Sequence, residues 1–175
     1  MVMKWPSFLR LRAANMSTPS RHISVKVQTE DFDVAAEYAV MRENNTQDGA
    51  IVFFSGLVRE MNQGQGVSGL YLEHYPAMTE KSLNGIVEQA CERWPLSRVR
   101  LIHRVGQLHV SDQIVFVAVS SSHREAAFEA CHFIMDFLKK RAPFWKKETT
   151  ESGDRWVEAL EKDQKALDKW ENNEN

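Results

Sequence analysis

The feature that most constrains this chain is residues 138–148, where five cations surround a proline and two aromatic residues. Pro143 lacks a backbone N–H and its ring clashes with a preceding helical turn, so a helix is predicted to end just before it. Lys139 then lies in the last helical turn and Lys146 on an extended segment. Two ammonium groups beside a rigid aromatic corner suit an anionic substrate. The alternative is an ordinary charged helix end, because cations favour the C-terminal pole of the helix dipole.

Composition limits the class of protein. The 175 residues suit one domain, and an apolar fraction of 43% is enough for a core. Because the net charge is −2, the basic stretch is a local feature, which argues against a general nucleic-acid-binding domain. No apolar run approaches the roughly 18 residues that a membrane span needs. Neither nucleic acid nor a membrane is therefore an expected partner.

The cysteines and histidines give no sign of a metal site. Cys91 and Cys131 form neither a disulfide framework nor a Cys-x-x-Cys motif. Both fall in predicted helices, which indicates buried free thiols in a reducing compartment, the cytoplasm. His74 and His103 fall in predicted strands without the spacing of zinc ligands, and we interpret them as structural. No Ser-His-Asp order is visible.

The first 22 residues differ from the rest of the chain. They contain four cations, Lys4, Arg10, Arg12 and Arg21, and no acidic residue, since the first acid of the chain is Glu30. The pattern is typical of a transit peptide, but it also fits an extension ahead of a true start at Met16. We favour the extension, which leaves residues 1–22 outside the fold and a single domain over residues 23–175.

Hydrophobic periodicity predicts the elements of that domain. The predicted strands are residues 23–27, 50–54, 69–75, 99–105, 108–110, 114–119, 144–150 and 155–157. The predicted helices are residues 34–42, 78–94, 122–141 and 158–170. Helices that alternate with strands, some of them joined by hairpins, indicate an α+β fold with a mixed sheet.

Several local expectations accompany this assignment. Asp33 is predicted to cap the first helix, and Ser122 with Glu125 to form a capping box on the third. The continuous apolar run 50–54 predicts a central strand covered on both faces, and Gly56 predicts a bulge after it. Strand 69–75 is predicted to pair with the preceding strand. Strands 108–110 and 114–119 are predicted to form a hairpin.

Three groups of cations have positions that suit an anion. Arg59 follows a strand, beside a glycine-rich loop that lacks the phosphate-loop pattern. His123 and Arg124 begin a helix, where free amides and the dipole favour anions. Lys139 and Lys146 flank Pro143. Each signal is weak alone, since a strand-end arginine is usually just solvated and a histidine at a helix start is usually a surface residue.

Together, the motifs of this chain are similar to those of one family. They are Asp48-Gly49-Ala50, Gly56-x-x-Arg59, Leu72-Glu73-His74-Tyr75-Pro76, Ile102-His103-Arg104-Val105-Gly106, Ser122-His123-Arg124 and the run from Lys139 through Ala142-Pro143-Phe144-Trp145-Lys146-Lys147-Glu148. The set resembles the large, catalytic subunit of molybdopterin synthase, over about residues 24–170.

The resemblance implies a fold and a reaction. The fold is of the α/β hammerhead type, with a mixed, largely antiparallel sheet packed by helices. The family is a sulfurtransferase that converts cyclic pyranopterin monophosphate into molybdopterin by installing a dithiolene. A small ubiquitin-like partner with a C-terminal Gly-Gly thiocarboxylate supplies the sulfur. The expected assembly is a heterotetramer around a homodimer of the large subunit, with no metal or organic cofactor in that subunit.

The resemblance also implies which residues form the site. Lys139 and Lys146 are the expected catalytic residues, with the division of roles between them left open. The expected substrate contacts are Leu57, Val58, Arg59, His123, Arg124, Lys139, Lys146, Lys147 and Glu148. Leu160 stands where some relatives carry an arginine that reaches a neighbouring subunit, so another cation substitutes or that contact is dispensable.

Two alternatives stay open at this point. The basic corner could belong to a non-enzymatic module that binds RNA or an acidic protein, in which case binding would be sensitive to salt. The fold could also serve as a scaffold that only docks the small partner, although the presence of both lysines argues against this.

Overall fold

The computed structural model of the protein describes residues 21–62, 65–66, 68–150, 153–157 and 169–170. The strands in this part of the chain are β1 (His22–Gln28), β2 (Ala50–Leu57), β3 (Met61–Asn62), β4 (Gln65–Gly66), β5 (Gly69–His74), β6 (Leu96–Arg104), β7 (Gly106–His109), β8 (Gln113–Ser121), β9 (Phe144–Thr150) and β10 (Gly153–Val157). The helices are α1 (Val34–Arg42), α2 (Pro76–Arg93) and α3 (Arg124–Arg141).

The longer strands form two four-stranded sheets. The first has the order β1-β6-β8-β2, in which β1 and β6 are parallel and the other pairs antiparallel. The second has the order β10-β9-β5-β7 and is antiparallel throughout. The predicted α+β fold with mixed, largely antiparallel pairing is confirmed, and its strands divide between two sheets.

Helices cover both faces of the first sheet. On one face, α2 and α3 build the main core with the sheet; its members include Leu83, Ile86, Val87, Val99, Leu101, Val117, Val119, Ala130, Phe133, Ile134 and Phe137. On the other face, α1 and the segment before it contribute Met41 and Phe32, which pack on Ile102 and Phe116. Burial of each large apolar side chain stabilises the fold by about 1.5–3 kcal/mol. A third, smaller cluster lies under the second sheet.

The prediction that β2 is a central strand is wrong, because β2 lies at the edge of the first sheet. The side chains of Phe53 and Phe54 are 46% and 41% exposed. The ring of Phe53 lies 5.7 Å from that of Phe116 and 6.2 Å from that of Tyr38. The apolar run of β2 is therefore explained by contacts of its side chains with α1 and β8. Its outer edge has no partner strand among the described residues. The predicted bulge is confirmed, since the register with β8 shifts between Gly56 and Leu57.

Two predicted strand pairings are also wrong. β5 pairs with β7 and β9 and not with β2, the preceding long strand. The turn before β8 forms, with the Asp112 N–H donating to the His109 carbonyl at 3.0 Å and the Asp112 carboxylate accepting from the His109 N–H at 2.8 Å. The strands on its two sides nevertheless join different sheets, so β7 and β8 do not make a hairpin.

The helix starts follow the predictions only in part. The Asp33 carboxylate accepts from the N–H groups of Ala35 at 2.8 Å and Ala36 at 3.2 Å, which confirms the predicted cap of α1. The predicted capping box of α3 is wrong, because the N-cap residue is His123 and its side chain makes no capping hydrogen bond. With the N-cap at His123, the third helical residue is Ala126, so Ser122 and Glu125 each lie one residue before the positions that a capping box requires.

Several predictions concern residues outside the described part of the chain: residues 1–20 of the predicted extension 1–22, the centre of the glycine-rich loop, Leu160 and most of the terminal helix. The last residue of that extension, His22, is the first residue of β1 and pairs with Arg98. The described end of the terminal helix is Lys169 and Trp170. Trp170 is buried, and its ring lies edge-on to those of Trp94 and Phe133. Among the described helices, none is long and apolar enough to cross a membrane.

Candidate functional site

The corner at Pro143 has the predicted form. α3 ends at Arg141 and β9 begins at Phe144, with Ala142 in an extended conformation between them. The ring of Phe144 stacks on His103 at 4.0 Å. Trp145 is 43% exposed, and its ring meets Tyr75 edge-on at 5.1 Å. These contacts fix the junction that separates Lys139, in the last turn of α3, from Lys146 in β9.

Five of the predicted site residues line one small cavity of about 70 Å³, which we call the Arg59 cavity. Its lining is Leu57, Val58, Arg59, Leu70, Ile114, Lys146 and Glu148. A volume of this size holds only a few water molecules or a small anionic group. The exposed Arg59 and the partly exposed Lys146 contribute two positive charges to it.

Glu148 is the buried acid of the Arg59 cavity, with only 1% of its surface exposed. Its Oε1 lies 3.1 Å from the Lys146 ammonium nitrogen. Its Oε2 accepts from the Arg155 Nη2 at 3.0 Å and from the Arg155 Nε at 3.3 Å. A buried carboxylate needs such charged donors, because desolvation otherwise costs several kcal/mol.

Lys147 lies on the opposite face of β9 from Lys146 and Glu148, since successive residues of a strand alternate in direction. Its ammonium nitrogen is 3.1 Å from the Asp154 carboxylate and lies over the rings of Tyr71 and Trp156, at 5.7 and 6.0 Å. Hydrogen bonds from Thr149 and Lys147 lower the pKa of Asp154. The structure therefore does not bring Lys147 into the Arg59 cavity.

Lys139 lines a different space, a groove of about 600 Å³ between β2, α3 and residues 169–170, which we call the Lys139 groove. Its lining is Val52, Phe53, Phe54, Phe128, Glu129, Cys131, His132, Met135, Asp136, Lys139, Lys169 and Trp170. Most of these side chains are apolar. The two acids are engaged elsewhere: Glu129 accepts from the Trp94 indole N–H, and Asp136 accepts from that of Trp170, each at 2.8 Å.

His123 and Arg124 lie at the far end of α3 from Lys139. Fifteen residues separate Arg124 from Lys139 in this helix, which corresponds to about 22 Å at 1.5 Å per residue. Both His123 and Arg124 are exposed. One copy of the chain therefore does not gather all the predicted contacts of the substrate around one small molecule.

The motif Asp48-Gly49-Ala50 supports the start of α3. A Cβ added to Gly49 would lie 2.8 Å from the Ser122 carbonyl oxygen, so only glycine allows this approach. Asp48 accepts hydrogen bonds from Ser97, from Ser120 at 2.6 Å and from Asn45 at 2.8 Å. Partial burial raises the pKa of the Asp48 carboxyl, but these hydrogen bonds outweigh it and the pKa is lowered.

His103 and His74, which we interpret from the sequence as structural, both lie against the ring of Phe144. Burial lowers the pKa of His103 to about 4, so its imidazole is neutral at physiological pH. Its Nδ1 lies 2.8 Å from the Arg104 carbonyl, and a neutral ring with the proton on Nδ1 donates to it. His74 lies beside the same Phe144 ring, at 6.3 Å.

The two cysteines are buried free thiols, as predicted. Burial raises the pKa of the Cys131 thiol to about 11 and also raises that of Cys91. A thiol that stays protonated is a poor nucleophile. Within the described residues, no group of three or more His, Cys, Asp or Glu side chains could hold a metal ion.

Three features of this region were not expected from the sequence. Arg155 binds Glu148 from the neighbouring strand, and only the β9–β10 register reveals this contact. Phe54 and Met135 line the Lys139 groove, although their sequence positions are typical of a core. Trp170 is buried, and Lys169 next to it lines the same groove as Lys139.

Comparisons with known proteins agree on one family. The sequence model described as "MoaE protein" matches residues 27–141. The molybdopterin synthase catalytic subunit of Vibrio cholerae is 58% identical over 147 residues, 84% of this chain and 97% of that protein. The solved structure of the molybdopterin biosynthesis MoaE protein from Burkholderia ambifaria aligns with a TM-score of 0.74 at 49% identity, over 85% of this chain and 98% of that one.

A more distant structure shares the fold. It is the protein–protein complex of subunits 1 and 2 of the molybdopterin-converting factor from Helicobacter pylori. The matching chain aligns with a TM-score of 0.64 at 18% identity, over 77% of this chain and 90% of that one.

Proposed function

Because the chain belongs to the MoaE protein family, we propose that it is the catalytic subunit of a molybdopterin synthase. It converts cyclic pyranopterin monophosphate into molybdopterin by installing two sulfurs as a dithiolene. The observation that carries the proposal is the corner at Pro143, which sets Lys139 on an open apolar groove and Lys146 beside Arg59. The buried free thiols suit a reducing compartment, and we assign the reaction to the cytoplasm.

The sulfur donor is a small ubiquitin-like partner with a C-terminal Gly-Gly thiocarboxylate. The Lys139 groove, with about 600 Å³ of space, has room for such a tail in an extended conformation. Its largely apolar lining accommodates an extended backbone, and Lys139 supplies a positive charge for the anionic end. In each transfer, the C–S bond of the thiocarboxylate breaks and a C–S bond to a substrate carbon forms, while a C–O bond at that substrate carbon breaks and its oxygen leaves with the phosphate or as water. Water adds to the acyl carbon, so the tail departs as a carboxylate.

The two lysines contribute the chemistry. Lys139 is placed to approach the acyl carbon of the thiocarboxylate, as a proton-transfer group or as an amine that transiently captures the acyl group. Lys146 stabilises negative charge that develops on the substrate, because its ammonium group lines the Arg59 cavity. Which lysine carries out which step is a matter for kinetics.

The phosphate of the substrate pairs with guanidinium groups. Arg59 can donate two parallel hydrogen bonds to it, and charge-assisted bonds of this kind are about twice as strong as neutral ones. Leu57 and Val58 shape the cavity beside Arg59. Glu148 does not contact the substrate in this proposal and affects it only through its ion pair with Lys146. Lys147 lies on the other face of β9, so it would contact a larger substrate only from outside the cavity.

A second copy of the chain supplies His123 and Arg124. The length of α3 separates these residues from Lys139 by about 22 Å within one copy, so a homodimer is the simplest way to bring both ends of α3 to one site. The exposed edge of β2, with Phe53 and Phe54, offers an apolar surface for such an assembly. One small partner on each copy then gives a heterotetramer.

The test of this function is reconstitution of sulfur transfer. The purified chain, a thiocarboxylated small partner and cyclic pyranopterin monophosphate are mixed, and dithiolene product is measured. Product should form only with the thiocarboxylate, and the same partner with an ordinary carboxylate is the control. Bulk added to the last residue of the partner should block turnover but leave docking intact. Absence of product with a thiocarboxylated partner that still binds would refute the proposal.

A further inference from the structure

Arg155 and Glu148 form an ion pair that the assigned chemistry does not yet use. The two residues lie directly opposite each other in the antiparallel pair β9–β10. Two nitrogens of the Arg155 guanidinium, Nη2 and Nε, lie 3.0 and 3.3 Å from the same oxygen of Glu148, Oε2. The other oxygen, Oε1, lies 3.1 Å from the Lys146 ammonium.

The three side chains of this cluster differ in their exposure to solvent. The Glu148 side chain is 2% exposed, whereas those of Lys146 and Arg155 are 37% and 31% exposed. The acid is thus the fixed centre of the cluster, and both cations reach it from more open positions. Because the carboxylate is buried, its charge must be balanced by whichever donors remain when one of them is removed.

We propose that Arg155 is a positioning residue for Lys146, and this inference rests on the function proposed above. By occupying Oε2 of Glu148 with two N–H groups, Arg155 balances part of the buried charge. Lys146 then contacts the carboxylate only at Oε1. Its ammonium group stays at the Arg59 cavity, where it can also interact with negative charge on the substrate. Without Arg155, the buried charge of Glu148 holds the Lys146 ammonium more strongly, so the ammonium is less available to substrate.

This proposal differs from a simple role of Arg155 as a link between β9 and β10. A link would only stabilise the hairpin, so removing Arg155 would lower the free energy of unfolding without changing the availability of Lys146 in the folded protein. A positioning role predicts that removing Arg155 makes Lys146 less available, and that removing the charge of Glu148 as well restores it, because the buried acid then no longer holds the ammonium. The two roles are separated by a double-mutant cycle.

The first readout needs no turnover. Lysines are acetylated briefly with an amine-reactive ester, and labelling of Lys146 is measured by mass spectrometry relative to Lys139 in the same sample. Arg155→Met should lower the relative labelling of Lys146 severalfold, and the double variant Arg155→Met with Glu148→Gln should restore it. Arg155→Lys, which keeps the charge but not the fork of two donors, should fall between Met and wild type. Equal labelling in all variants would overturn the proposal.

The second readout is sulfur transfer itself. Arg155→Met should lower kcat roughly tenfold to a hundredfold, as expected for a displaced catalytic group, with little change in affinity for the small partner. The double variant should turn over severalfold faster than Arg155→Met alone. A double variant as slow as or slower than Arg155→Met would show a merely structural link.

Asp154→Ala is the matched control. It removes the ion pair with Lys147 in the same hairpin, on the face opposite Glu148, and it should leave Lys146 labelling unchanged. A loss of labelling equal to that of Arg155→Met would mean general loosening of the hairpin and would contradict the proposal. If the wild-type chain shows no turnover, the proposed function fails, while the labelling cycle still decides the role of Arg155.

Discussion

Arg124 and Lys139 occupy opposite ends of one helix, α3, fifteen residues and about 22 Å apart. Lys139 lines the Lys139 groove, whereas Arg124 is the first residue of α3 and lies near the start of β2. A substrate the size of a pterin phosphate cannot contact both ends within one copy. In the proposed function, the site is therefore shared between two copies.

Lys139→Ala should abolish product formation while the fold and the docking of the small partner stay intact. Lys139 is exposed at the end of α3 and is not part of the core, so its removal should change stability by less than about 0.5 kcal/mol. Turnover and melting temperature are the measurements. Lys140→Ala, one residue along the same helix end, is the control and should turn over normally. Normal turnover by Lys139→Ala would remove it from the catalytic residues.

Arg59→Ala should weaken binding of the pterin substrate by roughly tenfold to a hundredfold, the value of a charge-assisted hydrogen bond of about 1.5–3 kcal/mol. Calorimetry with substrate alone measures this. Binding of the small partner should not change, because Arg59 lines the Arg59 cavity and not the groove assigned to the tail. Arg42→Ala, at the end of α1, is a control of equal charge. Unchanged substrate affinity would exclude Arg59 from the site.

His103 makes the stability of the fold depend on pH. Burial lowers its pKa to about 4, below the unfolded value of 6.5. The unfolded chain therefore binds the proton first, so this contribution is fully present above about pH 6.5 and is lost as the pH falls from 6.5 towards 4. The expected loss between pH 7.5 and pH 5 is about 2 kcal/mol.

Urea unfolding at several pH values measures this effect. Other groups also titrate in this range, so the comparison is with His103→Phe, which keeps a ring against Phe144 but cannot be protonated. The slope of stability against pH should be shallower in the variant, even if its stability at pH 7.5 is lower. Equal slopes in both proteins would contradict a buried neutral His103.

A chain that begins at Met16 should fold and turn over like the full chain. Nothing before Ile23 shows the periodicity of a core strand or helix, so the single domain proposed for residues 23–175 does not need it. Thermal unfolding and the sulfur-transfer assay compare the two chains. A fall in melting temperature of more than a few degrees, corresponding to about 1 kcal/mol, would show that the extension packs on the domain.

Much of the secondary structure was predictable from the sequence, because it depends on local chemistry. Pro143 ends α3, Asp33 caps α1 and Gly56 marks the bulge of β2, each through a property of the residue itself. The family was also predictable, since its motifs appear in order along the chain, and the comparisons confirm it.

The pairing of strands was not predictable in the same way. The periodicity of β7 and β8 is the same whether they pair with each other or belong to different sheets, and the turn at Ser111 and Asp112 forms in either case. The apolar run of β2 likewise fits a central strand, but here contacts such as that of Phe53 with Phe116 account for it. Such outcomes depend on contacts between residues far apart in the chain.

The arrangement of the predicted site residues was not predictable from the sequence, and their roles stay predictions. Arg59, Lys146 and Glu148 come together in one cavity because β2 ends beside β5 and β9. Lys139 lies on a separate groove, and its neighbour Lys169 reaches the groove only because Trp170 is buried against α3. Spacing along the chain carries no information on these distances.

The most direct test of the shared site mixes two inactive variants. Lys139→Ala and Arg124→Ala chains are unfolded together, refolded at equal amounts and supplied with thiocarboxylated partner and substrate. If each site takes Lys139 from one copy and Arg124 from the other, half of the dimers carry one intact site, and the mixture should recover about one quarter of wild-type turnover. If both residues act within one copy, or act in no common site, the mixture should be no more active than the two variants measured separately.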